Sequence, residues 1–335
     1  MSFKFLGRTG TFRWLGAAAL MAAGLLASCG GGGQIVPFVP TRVLSFGDDL
    51  SALEADGRKY SINAFRITDA TTTPPTESTT EIDCTRNPLW IQTVATSFRL
   101  VFDRCLGTAT TATGQALARN GHRVADFAAQ VAAVQGNALG EQDLALVMFG
   151  MNDILELYAQ YPTVGSTDLL LAAGVRGTAL GQQINQVARR GPAVVVLTAP
   201  DIGLSPFALG QNTSTGDPTR SALISNLVRR FNDSMSVALI NDGRMIGLVY
   251  ADTDLQNQVR FPASFGLINV AASACLGTAV LPDCTTTTLV AADAATGAAA
   301  ATSTTWLWAD RVRLSPAGQT RMGLLAESRA RGNPF

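Results

Sequence analysis

The chain has 335 residues and an even balance of 25 basic and 25 acidic side chains. That balance gives no basic face for nucleic acid, so a nucleic-acid partner is excluded as an expectation. With 47% hydrophobic and 15% charged residues, the chain can bury a large core in one α/β domain or two small ones.

Residues 1–28 read as a signal peptide. Lys4, Arg8 and Arg13 precede an apolar run from Trp14 to Ala27, too short to cross a bilayer with ease. It ends in Leu26-Ala27-Ser28-Cys29, which resembles the lipobox of bacterial lipoproteins. The resemblance implies cleavage before Cys29, lipid on that cysteine and a membrane as partner. Each buried acyl methylene contributes about 0.8 kcal/mol, so several chains hold a protein without any hydrophobic helix. Gly30 after the cysteine, where an Asp would retain the inner membrane, implies the outer membrane of a bacterial envelope, facing the periplasm or the cell surface. An ordinary secretory signal with a chance cysteine is the alternative. Cleavage removes three basic residues and no acidic one, leaving a weakly acidic mature chain. Residues 29–41 are a Gly- and Pro-bearing tether, and 42–335 the domain.

Buried strands are expected at 41–46, 143–149, 193–198 and 245–250, from continuous apolar runs. Helical spacing predicts helices over 89–98, 124–134, 167–190 and 219–241. Alternation of the two predicts a parallel sheet with helices on both faces and a site at the carboxyl ends of its strands. The Thr/Ala-rich stretches 71–80 and 291–305 read as surface insertions or mobile loops. Four cysteines remain after Cys29, and an even count in an exported chain predicts disulfides. Three connectivities are possible, and local closure favours Cys84–Cys105 with Cys275–Cys284. No Cys-x-x-Cys occurs and His122 is the lone histidine, so no metal site is expected. No Gly-x-Gly-x-x-Gly fingerprint or P-loop is present, so no cofactor is expected either.

Four blocks stand in order: Phe46-Gly47-Asp48-Asp49-Leu50-Ser51, Asn120-Gly121-His122, Gly150-Met151-Asn152-Asp153 and Asp310-Arg311-Val312-Arg313. Together they resemble the SGNH/GDSL family of serine esterases and lipases, over residues 42 to 325. The resemblance implies a three-layer, flavodoxin-like α/β sandwich with a five-stranded parallel sheet. It places Asp49 at the nucleophile, Gly121 and Asn152 at the oxyanion hole, Asp310 at the orienting acid and Arg313 at the base. The family carries serine at the first of these and histidine at the last. A serine hydroxyl needs a nearby base to become a nucleophile. A guanidinium stays protonated and cannot serve as that base.

Asp48 and Asp153 flank the site as auxiliary carboxylates. His122 could act as a base if it faced the site; otherwise it is an exposed residue opening a helix. Ser51 is a second candidate nucleophile, or else a capping or surface serine. Because positions 49 and 313 face each other in the family, Asp49 and Arg313 are expected to form an ion pair. Two readings follow. One is an envelope protein with a degenerate site that binds an ester, lipid or acylated glycan, or serves an accessory role. The other is an ester hydrolase with a non-standard nucleophile.

Overall fold

Six residues at Arg42–Gly47 form β1, and all but the first are buried. Its neighbour β4, Gly114–Ala116, lies on one side and β5, Asp143–Met148, on the other. β6, Ala193–Leu197, and β7, Ile246–Val249, complete the sheet. The order is β4-β1-β5-β6-β7, and every pairing is parallel. Every residue of β5 and β6 is buried. Strands covered on both faces are apolar along their buried length, which is why β6 reads as an uninterrupted Ala, Val and Leu run and β5 as one from Leu144 to Met148, after the paired Asp143. The computed structural model describes residues 1–2, 38–240 and 243–332. Residues 3–37, which hold almost all of the expected signal peptide, Cys29 and most of the expected tether, fall outside the described residues.

Helices cover both faces. One layer holds α1, Trp90–Ser97, packed on α8, Pro316–Arg331. The other holds α2, Phe127–Ala132, α3, Met151–Tyr158, and the long pair α4, Ser166–Ala188, with α6, Arg220–Ala238. Between β6 and α6 lies α5, Pro206–Thr215, and α7, Ala251–Arg260, follows β7. This is the architecture that the resemblance implies. The order reverses between β1 and β5, and in such sheets the crevice at that reversal is where ligands bind.

Two expectations need correction. The stretch 71–80 is not all loop: β3, Thr76–Ile82, pairs antiparallel with β2, Phe65–Asp69, as a hairpin outside the main sheet. Its Thr residues suit a strand, but most of its side chains meet solvent, so no apolar face marks it. The helix expected over 124–134 is a 3-10 turn at Val124–Asp126 followed by α2. The stretch 291–305 is turns and mostly exposed, as expected of a surface insertion. A second small pair joins β8, Asn269–Ser273, to β9, Trp306–Trp308, and β9 leads into the last motif. The disulfides are Cys84–Cys105 and Cys275–Cys284, with Cα–Cα distances of 5.7 and 6.0 Å. No helix among the described residues is long and apolar enough to cross a membrane.

Candidate functional site

The site is built where β1 and β5 end. Past Gly47 the chain turns sharply, and Asp48 caps a short 3-10 turn, Asp49–Ser51, by accepting the Leu50 N–H at 3.2 Å. The second oxygen of Asp48 accepts the Met151 N–H at 3.2 Å, joining the β1 turn to the first turn of α3. Asp48 is buried, and that burial, with the charge of Asp49 beside it, pushes its carboxyl well above the ordinary carboxylate range. Gly150 opens α3 at φ +130°, and a Cβ there would meet Ala199 and Phe231 at 2.8 Å, so only glycine fits. Asn152 is thereby aimed back across the crevice. Gly121 sits at φ +76° in the loop after β4, an open turn that presents its amide to the same point.

Asp49 is the centre of this arrangement and is 0% exposed. Its Oδ1 accepts Arg313 Nη2–H at 2.8 Å and Nε–H at 3.2 Å. Its Oδ2 accepts the Gly121 N–H at 3.2 Å and Asn152 Nδ2–H at 2.5 Å. A carboxylate taken out of water is tolerable only when its charge is paired and its lone pairs are filled. Both conditions are met, with two donors on each oxygen. The two backbone and side-chain donors that could hold a developing oxyanion are therefore already spent on a resident carboxylate.

Arg313 is held from its other side by Asp310. Nη1–H donates to Asp310 Oδ2 at 2.7 Å, while Asp310 Oδ1 accepts the Val312 and Arg313 N–H groups at 2.9 and 2.6 Å. Asp310 thus shapes the turn and positions the guanidinium. Burial works against the Arg313 charge, but Asp49 and Asp310 outweigh it and raise its pKa above an already high value. Tyr60 lies beneath, its ring centroid 5.6 Å from the Arg313 guanidinium carbon, and burial pushes its phenol up to about 12. Nothing in the sequence signalled Tyr60 as a neighbour.

Ser51 is neither a capping nor a surface serine: it is fully buried, and its Oγ accepts the Trp90 indole N–H at 2.9 Å. The aromatic partner comes from α1, 39 residues on, which local sequence cannot show. His122 is half-buried rather than exposed. Its Nδ1 faces Gln130 Nε2 at 2.9 Å. Gln130 grips the Gly47 peptide at both ends, accepting its N–H at 2.9 Å and donating to its carbonyl at 2.8 Å. That two-point grip fixes the amide, so Nε2 donates to His122 Nδ1 and the ring carries its proton on Nε2. The nitrogen that could accept a proton is occupied. His122 reaches the site through its backbone, whose carbonyl accepts Asn152 Nδ2–H at 3.0 Å. Asp153 is a brace: it accepts the Val124 N–H at 3.0 Å and pairs with Arg176 at 3.3 Å. Burial raises its pKa against those partners.

Beside Asp310 and Arg313 opens a cleft of about 370 Å³, lined mainly by apolar side chains from Leu155, Phe207 and the disulfide-closed loop after Cys275. Its walls come from four segments far apart in the chain, so no local pattern marks it.

No family model matches the chain, and no curated protein matches it. Among solved structures it is similar to a member of the lipolytic protein G-D-S-L family from Veillonella parvula, at 11% identity and a TM-score of 0.41, covering 86% of this chain and 96% of that one. It is also similar to an acetylxylan esterase from Geobacillus stearothermophilus, at 13% identity and a TM-score of 0.39, covering 88% and 96% respectively.

Proposed function

We propose that this chain is a lipid-anchored bacterial envelope protein on an SGNH/GDSL-type frame, in which an ion pair stands at the catalytic positions and ligand binding replaces hydrolysis. The observation that supports this most is the filling of both Asp49 oxygens. An ester carbonyl entering the site finds the Gly121 and Asn152 donors engaged. Asp49 has no free lone pair for attack, and Arg313 cannot take a proton. The ligand classes that fit this reading are lipid, acyl ester and acylated glycan, held without turnover. Anchoring through Cys29, in the outer membrane, belongs to the same proposal and rests on Leu26-Ala27-Ser28-Cys29.

Hydrolysis of p-nitrophenyl acetate and butyrate by the wild type tests the first part. The expected rate is no higher than that of Asp49→Ala. A wild-type rate well above background and lost in Asp49→Ala would make Asp49 a working nucleophile and restore the hydrolase reading. For the anchor, Cys29→Ala should move the protein from the membrane fraction to the soluble one. An unmodified Cys29 thiol on a soluble wild type would remove that part of the proposal.

A further inference from the structure

The Arg311 guanidinium makes neither a hydrogen bond nor an ion pair with the described residues; its one partner is the Phe207 ring, 5.3 Å from its central carbon. Its neighbours in sequence are fully committed, Asp310 to Arg313 and Arg313 to Asp49 and Asp310. Arg311 therefore brings an unspent cation to the wall of the apolar cleft. The cleft's volume of about 370 Å³ falls within the range of small-molecule sites, which bury an apolar body and orient it by a few polar groups. Leu276 and Val280, 42% and 72% exposed, stand at its mouth on the loop closed by Cys275–Cys284. Exposed Leu and Val beside a cleft and an unpaired arginine form an amphipathic surface with nothing covering it in the described chain.

We propose that this cleft binds an amphipathic monoanion, with an alkyl tail lying between Leu155, Phe207, Leu276, Val280 and Leu281 and a carboxylate head on Arg311. A guanidinium offers a planar fork that matches a carboxylate or a phosphate. Asp310 beside it disfavours a dianion more than a monoanion, which selects the carboxylate. The inference deepens the binding reading above and rests on it in one respect: with the Gly121 and Asn152 donors taken by Asp49, polar recognition in this part of the molecule falls to Arg311.

Calorimetric titration of the intact protein with sodium decanoate, below its micelle concentration, tests this directly. One saturable site per chain is expected. Affinity should rise about fourfold per methylene from hexanoate to decanoate. Arg311→Met should weaken decanoate by about tenfold or more, since it removes a charged hydrogen-bond donor. Val280→Glu, at an exposed position where folding is not at stake, should weaken it as well. Decanol and decyl phosphate should both bind less tightly than decanoate. Equal decanoate affinity in wild type and Arg311→Met, or no saturable binding, would overturn the site. Tighter binding of decanol would overturn the anionic head, and tighter binding of decyl phosphate the choice of carboxylate. The outcomes separate from those of the ester assay: a hydrolysing wild type that still binds decanoate through Arg311 refutes the non-catalytic reading alone.

Discussion

The two ends of β1 each carry an arginine–aspartate pair, and the two differ in burial and in what surrounds them. At the amino end, Arg42 and Asp143 are register partners on adjacent strands, bonded at 2.7 and 2.6 Å. That pair closes the bottom of the sheet, and Asp143 also accepts the Gly140 N–H at 2.9 Å. At the carboxyl end, Asp49 and Arg313 are 264 residues apart in the chain and meet only because the whole fold brings them together. Arg42 ties two neighbouring strands and donates to the Gln135, Asn137 and Ala138 carbonyls of the loop before β5. Arg313 joins a resident carboxylate, two oxyanion-type donors and the mouth of a cleft. Parallel α/β sheets put sites at the carboxyl ends, so the upper pair stands where a ligand would be met while the lower pair aligns strands.

Removing the arginine at each end should break the symmetry. Arg313→Met leaves the fully buried Asp49 without its counter-ion and should cost about 3–5 kcal/mol of unfolding free energy. Adding Asp49→Asn should recover part of that loss. Arg42→Met leaves a carboxylate nearer solvent, still bonded to Gly140, and should cost about 1.5–3 kcal/mol. Urea melts of the three variants decide it; equal losses at the two ends would mean that the upper pair is not the more buried one.

A finer difference lies in the response to pH. Asp48 has a folded-state pKa well above its unfolded value of 3.8. The folded protein therefore keeps a proton that the unfolded chain has released. That contribution is complete below the unfolded value and is lost as pH rises through the folded one. Melts between pH 4 and pH 8 should show the corresponding decline, and Asp48→Asn should flatten it. An unchanged slope in Asp48→Asn would assign the decline to other groups.

Much of this frame was legible in the sequence. β1, β5, β6 and β7 announced themselves because strands buried on both faces are dominated by apolar side chains, with only Arg42, Ser45 and Asp143 as polar exceptions. β4 did not, since three residues, Gly114–Ala116, carry no pattern. The β2–β3 hairpin was hidden for the opposite reason: with few buried side chains, its Thr and Ser residues read as loop. The four blocks placed Asp49, Gly121, Asn152, Asp310 and Arg313, and the structure brings these five together. What escaped were the partners that fix them. Gln130 holds the Gly47 peptide and His122, Trp90 turns Ser51 away, and Tyr60 lies under Arg313. Each is a tertiary contact between distant segments, and nothing local distinguishes such a residue from an ordinary core or helix position.

Whether Asp49 and Arg313 occupy a frame otherwise fit for acyl transfer is decided by ester turnover in a double-mutant cycle. Wild type, Asp49→Ser, Arg313→His and the combined variant would be assayed on p-nitrophenyl acetate under one condition. Background rates are expected in the wild type and little more in either single variant, since a serine without a base and a base without a nucleophile both fail. The combined variant should exceed the sum of the singles, because Gly121 and Asn152 are then released to hold the oxyanion and Asp310 remains to orient the histidine. A folded double variant no faster than the singles, or a wild type faster than all three, would contradict these expectations.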